Sequence, residues 1–203
     1  MPRETRSGTV LRTAAALFAT KGFAAASVSQ LARRAGLSKP GIYYHVRDKE
    51  ELLFRICVNA MTGLLEGVRA AVAVSDDPAA QLGGLMRAHI KYHWKHPGSL
   101  AILFGQIGHL SPERRRRVVA LEREYLDLVR EIIREGQRRG LFGQVDPTVA
   151  AFSLFAMLNT LDGWYDPRGR IGRDDLVVEL ERLYLEGLTG RGRKRRSRAN
   201  LRA

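Results

Sequence analysis

Residues 27–52 read SVSQLARRAGLSKPGIYYHVRDKEEL, and this stretch decides the fold. Ser27 and Gln30 have the spacing of a capping box, in which the hydroxyl accepts from a first-turn amide and the Gln side chain returns a bond to the Ser27 amide. A short helix begins there. Gly36, free to adopt the left-handed conformation, ends it. Ser38 caps a second short helix, with Lys39 and Pro40 in its first turn, where a missing amide proton costs little. This helix is expected to run to about Val46, and Asp48, with Glu51 at capping-box spacing, starts another. Two short helices joined by a glycine-containing turn form a helix-turn-helix, whose second helix is shaped to enter a DNA major groove.

Working outward, a first helix is expected from about Thr5 or Ser7 to Lys21, with Val10, Ala14, Leu17 and Phe18 on one face and Gly22 at its end. Phe23, Val28, Leu31, Ala32, Leu37 and Ile42 complete a three-helix miniature. Fifty residues bury little surface alone, so this unit must lean on the helix that follows, Asp48 to about Ala73. That helix bridges two bodies and can act as a lever. VSDDP at 74–78 ends it, an amphipathic helix follows to about Lys95, and HPG at 96–98 breaks the chain again. A short apolar helix from Ser99 to about His109 precedes a long one opened by Ser111 and Pro112 and closing near Arg139. Its solvent side pairs Asp127 with Arg130, Glu131 with Arg134 and Glu135 with Arg138. Asp146 and Pro147 open a helix that is apolar nearly all round, and the last helix spans about Asp174 to Leu188. The class is all-α with about nine helices: a helix-turn-helix domain at 1–50, a larger helical domain at 51–189 whose apolar last helices suit dimerisation, and a basic tail at 190–203 too poor in apolar residues to fold.

Charge divides the chain the same way. The net charge is +13. Residues 1–50 hold nine basic and three acidic residues, residues 51–189 hold eighteen of each, and the tail holds seven basic residues and no acid. Basicity at the ends of a neutral middle suits an anionic polymer held by the N-terminal unit. No apolar run is long enough to span a membrane and no secretory segment is recognisable, so the expected location is the cytoplasm. The single cysteine, Cys57, excludes an intramolecular disulfide. It reads as packing rather than a redox sensor.

The segment KPGIYYHVRDKEEL, through Gly41, Tyr43, Tyr44, His45 and Lys49, resembles the recognition helix and following residues of the TetR/AcrR family of bacterial transcriptional regulators. The resemblance covers about residues 9–55. It implies a homodimer in which the last two helices of each subunit form a four-helix bundle, a palindromic double-stranded DNA operator, and a repressor released by a small ligand. The candidate DNA-binding set is Ser27, Ser38, Lys39, Pro40, Gly41, Tyr43, Tyr44, His45 and Lys49. Lys39 suits a guanine edge, Pro40 and Gly41 permit close approach to a thymine methyl, and Tyr43 can reach bases or backbone. Tyr44, His45 and Lys49 are placed for phosphates. The competing reading puts one of the two tyrosines in the core.

For the effector, WYDPRG at 164–169, with HPG, SPERR and the GLF segment before DP, is similar to a subgroup of that family whose effectors are often acyl-CoA thioesters or related lipids. Phe104, Tyr125, Phe155 and Trp164 could line an apolar tunnel, Asn159 adds a polar group, and Arg130 or Arg168 could receive phosphate at a mouth. A drug-like or other apolar molecule is the alternative effector, and an architectural DNA-coating protein the alternative function. His89, His93 and His96 could share a helical face, but His96 precedes Pro97 and neither cysteine nor acid joins them. They read as polar aromatics at a helix end, with no metal and no cofactor. No nucleophile with a paired base and no phosphate-cradling glycine loop is present, so no enzyme is expected.

Overall fold

The computed structural model describes residues 6–189. The basic tail and the start at Thr5 lie outside the described residues. Within them the chain forms nine α-helices, two short 3-10 turns and no strand. These are α1 (Arg6–Lys21), α2 (Val28–Ala35), α3 (Lys39–Tyr43), α4 (Lys49–Val72), α5 (Pro78–Lys95), α6 (Ser99–Gln106), α7 (Pro112–Arg138), α8 (Pro147–Asn159) and α9 (Arg173–Thr189).

Local chemistry explains most helix starts. Asp48, Asp77 and Asp146 each sit in extended backbone and accept an amide of the first turn, which satisfies donors no helical carbonyl can reach. Pro78, Pro112 and Pro147 occupy first positions. Three helices tighten at their ends. α3 stops at Tyr43 rather than near Val46, because the His45 amide bonds back to Ile42 at 2.9 Å, an i−3 pattern that tightens the last turn before the extended Asp48 cap. α6 and α8 each pass into a 3-10 turn, Ile107–His109 and Leu161–Gly163. After α8, Thr160 donates its hydroxyl to the Ala156 carbonyl at 3.0 Å, competing with the helical ladder there.

α4 organises the packing. Leu52, Leu53, Ile56, Cys57, Met61, Leu64, Leu65 and Val68 are buried along it, and it packs on α1 near its start and on α5, α6 and α7 further along. At about 1.5 Å per residue its 24 residues span roughly 36 Å. Cys57 is fully buried, and burial pushes its thiol up to about 12, leaving it protonated and inert. On α7, Val118, Tyr125, Val129 and Ile132 face inward, and Asp127–Arg130, Glu131–Arg134 and Glu135–Arg138 form ion pairs on its outside.

α8 buries Ala151, Leu154, Phe155 and Leu158 but leaves Val149 and Phe152 in solvent, while α9 leaves Val178 and Leu183 exposed. The Tyr184 hydroxyl ties the two helices by donating to the Ala150 carbonyl at 2.8 Å. Together they present an uncovered apolar face.

Gly136 is the tightest point of the C-terminal half: a Cβ there would lie 2.1 Å from the ring of Phe142, itself buried. Gly136→Ala is expected to displace that ring and lower unfolding free energy by about 1–3 kcal/mol, read as a fall in the urea midpoint at unchanged slope.

Candidate functional site

In the helix-turn-helix the two serines act on the backbone. Ser27 and Gln30 form both arms of the capping box at 3.2 Å each, Gly36 takes φ 66°, and Ser38 Oγ accepts from the Gly41 amide at 3.1 Å. Ile42 is fully buried and anchors α3. This turns Lys39 and Pro40 outward together with Tyr43 and Tyr44, which are 46% and 87% exposed. Neither tyrosine packs in the core; Ile42 fills that role. Tyr44 and His45 meet edge to face at 5.3 Å.

Lys49 departs from expectation. Its ammonium donates to the carbonyls of Phe23 at 2.8 Å, Ala26 at 2.9 Å and Ala24 at 3.4 Å, and lies 4.3 Å from the Phe23 ring centroid. An ammonium has three protons, and all three face the loop between α1 and α2. Lys49, expected at a phosphate, is here held within the head: it fixes that loop against α4, which positions the reading helix.

Besides α4 itself and the packing of α1 on α6, two polar contacts join this head to the rest of the molecule. Arg114, near the start of α7, meets Asp48 at 3.0 and 3.3 Å and Glu50 at 3.3 Å, while Glu50 accepts the Ser111 amide at 2.8 Å. The Arg114 guanidinium holds the Asp48 carboxyl below the usual carboxylate range, and the Ser111 amide does the same for Glu50. Arg117 lies 5.0 Å from the centroid of the Phe54 ring between them. In the second contact Gln106, at the end of α6, accepts the Phe23 amide at 3.1 Å, and His109 lies against the Phe23 ring at 5.2 Å. Sequence reasoning missed this joint. Its one signal was the run of four arginines at 114–117, which is not needed for a solvated helix face.

The candidate effector residues divide. Phe104, Tyr125 and Phe155 form one aromatic cluster, with Phe155 5.1 Å from Phe104 and 4.9 Å from Tyr125. Asn159 reaches its edge through His89, whose Nε2 lies 3.2 Å from Asn159 Oδ1 and whose Nδ1 lies 2.9 Å from the Tyr125 hydroxyl. Trp164, 54% exposed, meets Tyr165 edge to face rather than joining this cluster, and Arg168 is solvated beside Asp166. Arg130 is largely buried beside α8, paired with exposed Asp127 and 5.7 Å from the Phe152 ring centroid, with its Nε buried and without a partner. His89 and His93, expected near the surface, are buried. Ring nitrogens need polar partners when buried, and theirs lie far along the chain: Tyr125 and Asn159 for His89, and Asp162 for His93 at 2.8 Å. Among the described residues no group of three or more His, Cys, Asp or Glu is arranged to hold a metal.

Residues 10–56 match the model of bacterial regulatory proteins of the tetR family, and residues 75–188 match that of the tetracyclin repressor-like C-terminal domain. The chain belongs to the TetR family. It is therefore a DNA-binding transcriptional regulator. Along its length it is 26% identical over 181 residues to the HTH-type transcriptional repressor KstR2 of Rhodococcus jostii RHA1, covering 88% of this chain and 89% of that one. It is 33% identical over 92 residues to the HTH-type transcriptional activator FasR of Mycolicibacterium smegmatis, a match spanning 45% of this chain and 42% of that protein's length. The fold is similar to that of AibR bound to isovaleryl coenzyme A and operator DNA, with a TM-score of 0.83 at 28% identity over 88% of this chain and 97% of AibR. No helix among the described residues is long and apolar enough to cross a membrane.

Burial lowers His89 from 6.5 to about 3, so folding excludes a proton that the unfolded chain accepts. Stability is expected to fall as pH drops from about 6.5 towards 3, with a slope of roughly 1 kcal/mol per pH unit from this group, and His89→Gln should flatten that slope in a pH series of urea melts. Lys49→Met, which strips three carbonyls of their donor, should cost about 1–2 kcal/mol in the same assay. It should also weaken DNA binding, whereas a lysine serving only phosphate would leave stability unchanged.

Proposed function

We propose that this TetR-family regulator is a homodimeric repressor, acting in the cytoplasm, that is released from a palindromic operator when a hydrophobic effector of the acyl-CoA class binds between α5, α6, α7 and α8. The observation carrying the DNA half of this reading is the outward presentation of Lys39, Pro40, Tyr43 and Tyr44 around the buried Ile42. Lys39 suits a guanine edge, the tyrosines suit bases and phosphates, and the Ser27 and Ser38 caps set the angle of the two short helices. Residues 1–50 form the reading unit and 51–189 the ligand and dimer unit. The uncovered face of Val149, Phe152, Val178 and Leu183 supports pairing of α8 and α9 from two copies into a four-helix bundle. That pairing spaces two reading helices about one DNA turn apart.

Support for the effector class comes from AibR, whose structure holds isovaleryl coenzyme A, and from the apolar Phe104–Phe155–Tyr125 cluster with one polar edge at His89 and Asn159. An acyl chain entering there spreads α5 from α7 and α8. The displacement reaches the reading head through the Gln106–Phe23 and Arg114–Asp48 contacts. A coupling of about 1–3 kcal/mol is sufficient for release. The relation to FasR, named an activator, favours a second reading in which the same effector recruits DNA instead.

Gel shifts on operator DNA, with and without isovaleryl coenzyme A, distinguish the two by the sign of the change. Lys39→Ala should weaken operator binding by about 1–3 kcal/mol while sizing still gives a dimer; unchanged operator affinity would remove Lys39 from the interface.

A further inference from the structure

A second concavity, of about 800 Å³, lies between α4 and α5 on the face of α5 turned away from His89 and Tyr125. Its volume is in the range of small-molecule sites. Glycines shape it. Gly84 lets α5 approach α4, since a Cβ there would meet the Ala71 carbonyl oxygen at 3.2 Å, and Gly63 receives the edge of the Tyr92 ring, with 3.0 Å to a built Cβ. Gly67 is different: nothing lies within 4 Å of a Cβ at that position. A glycine in a helix interior costs about 1 kcal/mol relative to alanine, and packing gives no reason for it here. What its missing side chain does is keep the floor of the groove open.

The lining is graded along its length. One end holds Val74, which is exposed, with Ala71 and Ala80. The other end holds Lys91, Lys95 and the His96 ring, which stacks on Tyr92 at 4.4 Å. Arg87, between the ends, is paired with Glu181 of α9, so its charge is already met. Glu66 is the one acid on the lining. Lys91 and Lys95, one turn apart and both exposed, have no ion pair among the described residues. From Gly63 to Ala71 the floor is about 12 Å long, enough for an extended chain of moderate length.

We propose that this groove is a binding site, distinct from the aromatic cluster, for an amphipathic anion: an alkyl or acyl chain lying over Gly67 towards Ala71 and Val74, with a carboxylate or phosphate head held by Lys91 and Lys95. Charge at one end and exposed apolar surface at the other match a head-and-tail ligand better than a neutral or a uniformly charged one. Because α4 forms one wall and carries the reading head at its start, an occupant wedged against α5 also bears on DNA binding.

The test is titration calorimetry of the full chain with decanoate, decyl phosphate and decan-1-ol. Decanoate or decyl phosphate is expected to bind at one per chain, the tighter of the two naming the head group. Gly67→Leu, whose Cβ has nothing within 4 Å and whose side chain fills the floor, and the double variant Lys91→Glu/Lys95→Glu should each weaken binding by about tenfold or more, and decan-1-ol should bind about tenfold more weakly than the anions. Phe155→Leu, in the aromatic cluster, should leave anion binding intact, so that failure of the groove and failure of the proposed effector site give different results. The proposal is overturned if no anion binds, if natively melting Gly67→Leu or the charge-reversed protein retains wild-type affinity, or if decan-1-ol binds equally well. It is overturned equally if Phe155→Leu removes the binding, or if Gly67→Leu acts by abolishing an association of copies seen in sizing, which would make the occupant a second chain.

Discussion

The structure depends on one helix having to satisfy two bodies at once. α4 buries Leu52, Leu53 and Ile56 close to the reading head and Leu64, Leu65 and Val68 in the body behind it. A fifty-residue head buries little apolar surface of its own, and it leans on a helix that packs against the rest of the molecule. That constraint makes the regulator possible: an independently stable head would have no reason to follow changes in the body. Lys49 completes the dependence at the first turn of α4, because the loop before α2 hangs on its ammonium.

Alongside this apolar packing the attachment has a polar part. Arg114 with Asp48 and Glu50, and Gln106 with Phe23, are partly exposed contacts. Directional bonds of modest strength suit a place that must change geometry, since they break and re-form over small displacements, whereas packed cores resist continuous deformation. Lowering the pH weakens the same joint: the Asp48 and Glu50 carboxyls titrate below their usual values because of it, so its contribution is present above the normal carboxylate range and is lost as they take up protons.

Much of the fold was legible because helix starts are local events. Ser27 with Gln30, and Asp48, Asp77 and Asp146, announce themselves within four residues, and the ion pairs of α7 follow from spacing along a single helix. The orientation of α3 was half legible: Ile42 between Pro40 and Tyr43 reads as a core residue, yet either tyrosine could have shared that role until their exposure separated them from it. What stayed hidden involved partners without a local signature. The acceptors of Lys49 are backbone carbonyls, which no residue type marks. The burial of His89 and His93 depends on Tyr125, Asn159 and Asp162, all contributed by later segments. Trp164 and Arg168 enter the effector set through the resemblance of WYDPRG, a motif in which nothing marks exposure, and both side chains are exposed beyond the 3-10 turn at Leu161–Gly163.

The His89 relay has a direction. With Asn159 Oδ1 as acceptor, His89 carries its proton on Nε2, and Nδ1 then accepts from the Tyr125 hydroxyl. Protonation is closed to a ring this deeply buried, so only its two neutral tautomers are open to it. The Tyr125 hydroxyl proton is thereby committed to the ring, while the phenol oxygen keeps a lone pair for another partner. A group that donates a hydrogen bond at Tyr125 meets that lone pair without disturbing the relay, whereas one that can only accept must break the bond to His89 and leave a buried ring nitrogen unpaired.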